Sequence, residues 1–250
     1  MDLLRFEEAC RTVQGGGRLI KGIGTKGESS VHAVLKNYFE TDQESQELAV
    51  GKHIADIVSE NGITEIQTSH FSALREKLAA FLPVTHVTVV YPVFVNKRII
   101  TLSEDGEVLR KRTSPQKGSP YDIFKELFPI AQYMTDDNLS FVIMILDCDE
   151  YRIPPEALGK QKNKRGRLSV ADRFPTVLKD EIHIDTPADW KRLVPCLDFK
   201  DYTTADLSET AHIPRSSATT ALSVLYRAGI IRRTGKRGRS FTYCFCTDEI

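Results

Sequence analysis

The chain has 250 residues, 41% of them apolar and 27% charged, with equal numbers of basic and acidic side chains. This composition excludes long tracts of disorder, and the length allows one sizeable core with a small second domain, or two medium ones. The zero net charge hides two basic regions: residues 151–175 carry seven Lys/Arg against two acids, and residues 213–243 carry seven against none.

The opening MDLLRFEEACRTVQ contains acids and no apolar run, so it reads as neither a signal peptide nor an anchor. No window approaches the roughly 20 apolar residues that span a bilayer. The expectation is a soluble, cytoplasmic protein with no membrane partner. The cysteines Cys10, Cys148, Cys196, Cys244 and Cys246 are odd in number and scattered, which fits a reducing compartment. Cys244 and Cys246 have no second pair at zinc-site spacing.

Positions 2–13 are compatible with a short helix. The basic, glycine-rich GGGRLIKGIGTKGES follows, but without the spacing or the preceding strand of a phosphate loop. Val31, Val34, Leu35 and Tyr38 then recur at helical intervals, with Glu28, His32 and Lys36 along a polar edge. QELAV, HIADIVS and ITEIQTS alternate with the period of strands and are separated by Gly51 and by Asn61-Gly62, which predicts a three-strand meander. Phe71, Leu74, Leu78 and Phe81 mark a helix stopping at Pro83, and HVTVVYPV is a buried strand.

RIITLSEDGEVLRKR predicts a hairpin turning at Asp105-Gly106, Tyr121 to Met134 a helix, and LSFVIMILDC another buried strand. Asp147, Asp149 and Glu150 after that strand read as solvated, since no phosphate loop accompanies them. GKQKNKRGR is an exposed loop whose Lys160, Lys162, Lys164, Arg165 and Arg167 suit either plain solvation or contact with a nucleic-acid backbone. DEIHID predicts a strand, and a helix follows near Trp190.

The last fifty residues are short and dense in elements. Thr203 or Thr204 can cap a helix, Pro214 suits the first turn of a second, Gly229 suits its end, and two strands joined by a basic glycine turn close the chain. This resembles a winged helix-turn-helix. The resemblance implies that Arg215, Ser216, Ser217, Thr219 and Thr220 face the major groove, and that Arg233, Lys236, Arg237 and Arg239 contact phosphate. A role confined to protein contact or dimerisation is the alternative reading.

A two-residue turn at Asn61-Gly62 would set Glu60 opposite Ile63, Val58 opposite Glu65, and Asp56 opposite Gln67. Asp56, Val58, Glu65 and Gln67 then share one sheet face, with Asp56 diagonal to Glu65. Two convergent carboxylates raise each other's pKa, a cost that a hard divalent cation removes. The plainer alternative is the solvent face of a hairpin.

The order helix, strand, strand with Asp, strand with E-x-Q, helix, strand, from Glu28 to about Val93, is similar to the PD-(D/E)XK nuclease core. The resemblance implies an α/β fold in the wider α+β sense: a restriction-endonuclease-like αβββαβ core with a mixed sheet, within a nuclease-like domain of residues 1–196, and a winged helix-turn-helix domain of residues 197–250. It also implies that Asp56, Glu65 and the Ile66 carbonyl bind Mg²⁺ (or Mn²⁺), with Glu28 assisting. Ala55 replaces the motif proline. Gln67 stands where lysine is usual, and an amide can orient water but cannot supply charge. Lys77 and Lys52 are the candidate replacements, and His32 lies near Glu28 in sequence.

The leading expectation is a metal-dependent DNA endonuclease, in which Asp56 and Glu65 hold the metal and Gln67 or a displaced lysine positions the attacking water. A homodimer is expected because duplex cleavage needs two cuts and the chain shows one site. A DNA-binding regulator with a non-catalytic nuclease-like scaffold is the alternative, and an RNA-directed nuclease a third.

Overall fold

The computed structural model describes residues 1–15, 28–158, 168–198 and 200–246. The fold is mixed α+β, built on a seven-stranded mixed sheet. Two compact units are formed by discontinuous segments: Met1–Gln46, Pro92–Ser119 and Met144–Glu181 make the first, and Glu47–Tyr91, Pro120–Ile143 and Ile182–Ile250 the second.

The elements begin with helices α1 (Leu3–Gly15) and α2 (Ser30–Phe39), strands β1 (Gln46–Val50), β2 (His53–Ser59) and β3 (Gly62–Ile66), and helix α3 (Leu74–Phe81). Strands β4 (Val87–Leu102) and β5 (Val108–Thr113), helix α4 (Ile123–Leu127), and strands β6 (Leu139–Ile153) and β7 (Ser169–Ile184) follow. Helices α5 (Thr204–Thr210) and α6 (Arg215–Arg227) and strands β8 (Ile231–Arg237) and β9 (Ser240–Phe245) complete the order. The sheet runs β1-β2-β3-β4-β6-β7, with β5 paired to β4, and β8-β9 form a separate ribbon. Strands β2 and β3 are antiparallel, whereas β3 and β4, joined through α3, are parallel. A parallel pair requires such a crossover, and the apolar stripe of α3 supplies it.

In the first unit, α2 is capped by Ser29, whose hydroxyl accepts from His32 N at 3.4 Å. Its buried Val31, Val34, Leu35 and Tyr38 are the residues the helical period selected. Tyr38 meets Phe6 of α1 edge to face, with centroids 5.9 Å apart. In the second unit, Trp190 is fully buried against Phe124 and Phe141, and Phe71 packs on Tyr91.

Several elements differ from the sequence expectation. The span Tyr121 to Met134 is a short α-helix flanked by 3-10 turns at Pro120–Asp122 and Phe128–Tyr133, because Pro129 lacks the amide that would continue α4. The segment around Trp190 is a 3-10 turn, Pro187–Arg192. Strands β4, β6 and β7 run past their apolar stretches. Their charged ends are matched by ion pairs in the first unit, so Asp147, Asp149 and Glu150 are not solvated residues. Buried Asp149 takes both Arg98 Nε (2.7 Å) and Nη2 (2.5 Å), while buried Glu150 accepts from Arg152 and from Arg173 at 2.9 Å. Asp147 pairs with Lys179 at 3.2 Å. All five cysteines are free. Among the described residues, no helix is long and apolar enough to cross a membrane.

Candidate active site

The β2–β3 hairpin positions the two acids, in a register two residues from the one its sequence suggests. Val58 pairs with Ile63 and Ser59 with Gly62, so Glu60 and Asn61 form the loop. Gly62 is not the second turn residue. It has φ +115°, and a Cβ there would lie 2.3 Å from the His86 carbonyl oxygen, which accepts from Ile63 N at 2.9 Å. Glycine is needed where β4 begins against the hairpin. A slip of two keeps every side chain on its face, so Asp56 and Glu65 still share one; continuing the register sets them directly opposite each other.

The ladder stops at Ile57 and Thr64, and the Ile66 amide donates to Asp56 Oδ2 at 2.7 Å. The carboxylate thus takes over a bond that a regular ladder would give to a backbone carbonyl. Glu65 is 1% exposed, and Lys77 from α3 donates to both its oxygens, at 2.7 and 3.0 Å. Burial, and then the Asp56 charge, push the Glu65 carboxyl up to about 7 against the opposing pull of Lys77. Among the described residues no group of three or more His, Cys, Asp or Glu side chains is gathered as a metal site; the hairpin contributes two facing carboxylates, one of them held by Lys77, which is part of the oxygen donor set a hard divalent cation takes.

Of the two lysines left open by the sequence, Lys77 joins this cluster and Lys52 lies exposed in the turn before β2. Gln67 donates its amide to the Ser69 carbonyl at 2.5 Å rather than to Asp56 or Glu65, and its backbone joins β4 through Val90 O. Glu28 belongs to the first unit. Its Oε1 meets His32 Nδ1 at 2.5 Å and buried Lys36 Nζ at 2.8 Å. Burial alone would raise its pKa, but these hydrogen bonds and charges hold it down at about 2.

The nucleic-acid candidates lie on the C-terminal elements. Thr203 caps α5 in a box with Asp206, Gly229 (φ +77°) ends α6, and Tyr202 exchanges two backbone bonds with Tyr243, adding a bridge beside the β8–β9 ribbon. Arg215, Ser216 and Thr219 are exposed on α6, and Ser217 and Thr220 half-buried. The Thr219 and Thr220 hydroxyls donate one turn back, to the carbonyls of Arg215 and Ser216. On the ribbon, Arg233 lies 3.9 Å from the Phe241 ring centre and 4.5 Å from that of Tyr226, with Lys236 over Phe241. Arg237 is engaged by Asp206 at 3.0 Å, and Arg239 is exposed at the turn. Lys164, Arg165 and Arg167, with Lys160 and Lys162, lie outside the described residues.

The Arg98–Asp149 and Arg173–Glu150 pairs are not evident from sequence, because the partners lie 51 and 23 residues apart. Lys36 as the partner of Glu28 was legible only as a polar helix edge.

The profile of a family described as "Domain of unknown function (DUF8091)" matches residues 29–185, more than half of the chain. The chain belongs to the DUF8091 family. Asp56, Glu65, Ile66, Gln67 and Lys77 fall inside the DUF8091 segment, which ends before α5. An "Uncharacterized protein" of Treponema pallidum (strain Nichols) is 33% identical over 147 residues. That match covers 58% of this chain and 58% of the relative, so the chain spans less than two thirds of the relative's length. No solved structure matches the chain.

Proposed function

We propose that the protein is a metal-dependent DNA endonuclease with a PD-(D/E)XK-like core and a C-terminal winged helix. The observation that carries this reading is the Asp56–Glu65–Lys77 cluster on an antiparallel hairpin followed by a helical crossover to a parallel strand. Asp56, Glu65 and the Ile66 carbonyl are the proposed ligands of Mg²⁺ or Mn²⁺. Bound there, such an ion supplies a Lewis acid for the scissile phosphate and a water of lowered pKa.

In this reading Lys77 takes the part of the lysine that Gln67 replaces. Its ammonium neutralises one carboxylate and offers the charge and donors that a phosphoryl oxygen or an attacking water requires. Glu65, poised near neutrality, exchanges a proton for a cation with little penalty at pH 7. The winged-helix reading of α5, α6 and the β8–β9 ribbon is supported by their order, by the Tyr202–Tyr243 bridge and by seven cations with no acid between residues 213 and 243. Duplex DNA is the proposed partner, and a homodimer the proposed assembly for a double-strand cut.

Plasmid nicking and linearisation with Mg²⁺ or Mn²⁺ test the activity. It should vanish in Asp56→Asn and Glu65→Gln while DNA binding persists. Cleavage that survives both substitutions would refute the assignment. A second reading, a DNA-binding regulator with a silent core, is favoured by the Lys77–Glu65 pair itself, since the ammonium already supplies one counter-charge. Calorimetry showing no divalent binding dependent on Asp56 and Glu65 would select it.

A further inference from the structure

We infer that the β4–β5 ribbon of the first unit is a second duplex-DNA contact, engaging phosphate through Arg110, Lys111 and Arg112. The inference rests on the proposed nucleic-acid reading but uses neither the carboxylate cluster nor the C-terminal elements.

Strand β5 is unusual in that all six of its residues are exposed. A strand normally buries every second side chain, and that burial decides its sequence. Here the backbone pairing with β4, from Arg98↔Thr113 to Leu102↔Val108, holds the strand, and its side chains contribute nothing to a core. Even Val108 and Leu109 are 53% and 65% exposed. Burial therefore does not account for the run VLRKRT.

Its charge also differs from that of four basic residues on the neighbouring strands. Arg98, Arg152, Arg173 and Lys179 each meet a carboxylate on the sheet. Among the described residues, Arg110, Lys111 and Arg112 have neither an ion pair nor a side-chain hydrogen bond. The acids of the hairpin, Glu104, Asp105 and Glu107, are collected at its turn. The ribbon is thus acidic at the tip and basic along β5; the cleft of about 320 Å³ beside it is of mixed charge, lined by Lys97 and Arg98 and by Asp147 and Asp149.

The run of three cations matches a phosphate backbone, and the shape of the ribbon favours a duplex as the polyanion. A two-stranded ribbon has the width that the major groove admits, and alternate residues of a strand, about 7 Å apart, can follow successive phosphates. Three unpaired cations on a fixed backbone release counterions without first breaking an internal pair.

Equilibrium binding of the full-length chain to a 30-base-pair duplex, measured across a salt series, tests the inference. The variants are Arg110→Ala/Lys111→Ala/Arg112→Ala and, separately, Arg233→Ala/Lys236→Ala. The β5 triple variant should bind about tenfold or more weakly at 150 mM salt, with the slope of log K against log salt reduced by about 2 to 3. Because β5 buries no side chain, its thermal midpoint should match the parent's, and glutamine in place of alanine gives a second variant with the same prediction. Wild-type affinity and slope in the β5 triple, with weakened binding in the Arg233/Lys236 variant, overturn this inference and leave the DNA reading standing. A wild-type chain that binds no DNA overturns both. Loss of sedimentation with phosphatidylserine vesicles but not of duplex binding overturns the inference in favour of a membrane surface.

Discussion

Lys77 Nζ lies 2.7 Å from Oε2 and 3.0 Å from Oε1 of Glu65, so a lysine delivered by helix α3 neutralises a carboxylate delivered by strand β3. Glu65 is almost fully buried, and Lys77 is its only cationic neighbour among the described residues that acts on its titration. Lys77→Gln leaves a buried carboxyl beside Asp56 with no counter-charge, and its pKa rises further. The loss of stability should therefore be larger at pH 8, where Glu65 must ionise, than at pH 6, where it keeps its proton. Urea denaturation at the two pH values checks this; equal losses at both would show that the pair carries no charge coupling. Lys77→Arg should restore part of the difference.

Glu65 also predicts a pH dependence for the parent protein. Its folded pKa, about 7, lies above its ordinary 4.5. Between these values the folded state binds the extra proton, so stability is fully present below pH 4.5, falls as pH rises, and levels off above 7. The contribution is on the order of 3 kcal/mol. Glu65→Gln removes it, so the variant's advantage over the parent should grow from pH 5 to pH 8. Parallel thermal-melt profiles at the two pH values would count against the burial argument.

Asp56 has two separable roles. As an acceptor it satisfies the Ile66 amide, and as an anion it raises Glu65. Asp56→Asn keeps an acceptor oxygen and removes the charge, whereas Asp56→Ala removes both. The asparagine variant should lose Mn²⁺ binding by calorimetry while costing less than about 1 kcal/mol of stability. The alanine variant should cost a further 1–3 kcal/mol for the unsatisfied amide. Equal stability of the two variants would mean that the Asp56–Ile66 bond contributes nothing.

Gly62→Ala should be among the most damaging single substitutions in the hairpin. A methyl group 2.3 Å from the His86 carbonyl oxygen, on a residue at φ +115°, must displace the start of β4 or the hairpin itself. A loss of about 3 kcal/mol or more is expected from chemical denaturation. Asn61→Ala, at an exposed loop position, should cost under about 1 kcal/mol. The opposite ranking would restore Asn61-Gly62 as the turn.

Thr203→Ala removes one half of the capping box that starts α5 and should cost about 1 kcal/mol, read from the thermal midpoint. Asp206 holds the other half and also binds Arg237 at 3.0 Å, so Asp206→Ala should cost more and release that guanidinium. Improved duplex affinity in Asp206→Ala alongside reduced stability would show that Arg237 is restrained in the parent.

Much of this was legible in the sequence, for local reasons. The three-strand meander, the helical stripe of Val31, Val34, Leu35 and Tyr38, the Asp105-Gly106 turn and the Thr203 cap all depend on residues within one or two turns of each other. The hairpin register differs from the one the turn rule predicts because Gly62 serves a contact with His86, 24 positions away, a constraint no turn rule contains. The face shared by Asp56 and Glu65 survived because the slip was even. Lys77 could be named as a candidate from its helix, but only the α3 crossover shows that it reaches Glu65 in preference to Lys52. Asp149 and Glu150 read as solvated in the sequence because Arg98 and Arg173 reach them from other strands.

A strand lysine two residues after Glu65 would move with the carboxylates whatever happened around them. A lysine on α3 reaches the acids only while Leu74, Leu78 and Phe81 hold that helix in place. The charge balance of the cluster is therefore set by oily contacts that carry no charge. Leu78→Ala, which shortens that buried stripe, should therefore change how Glu65 titrates.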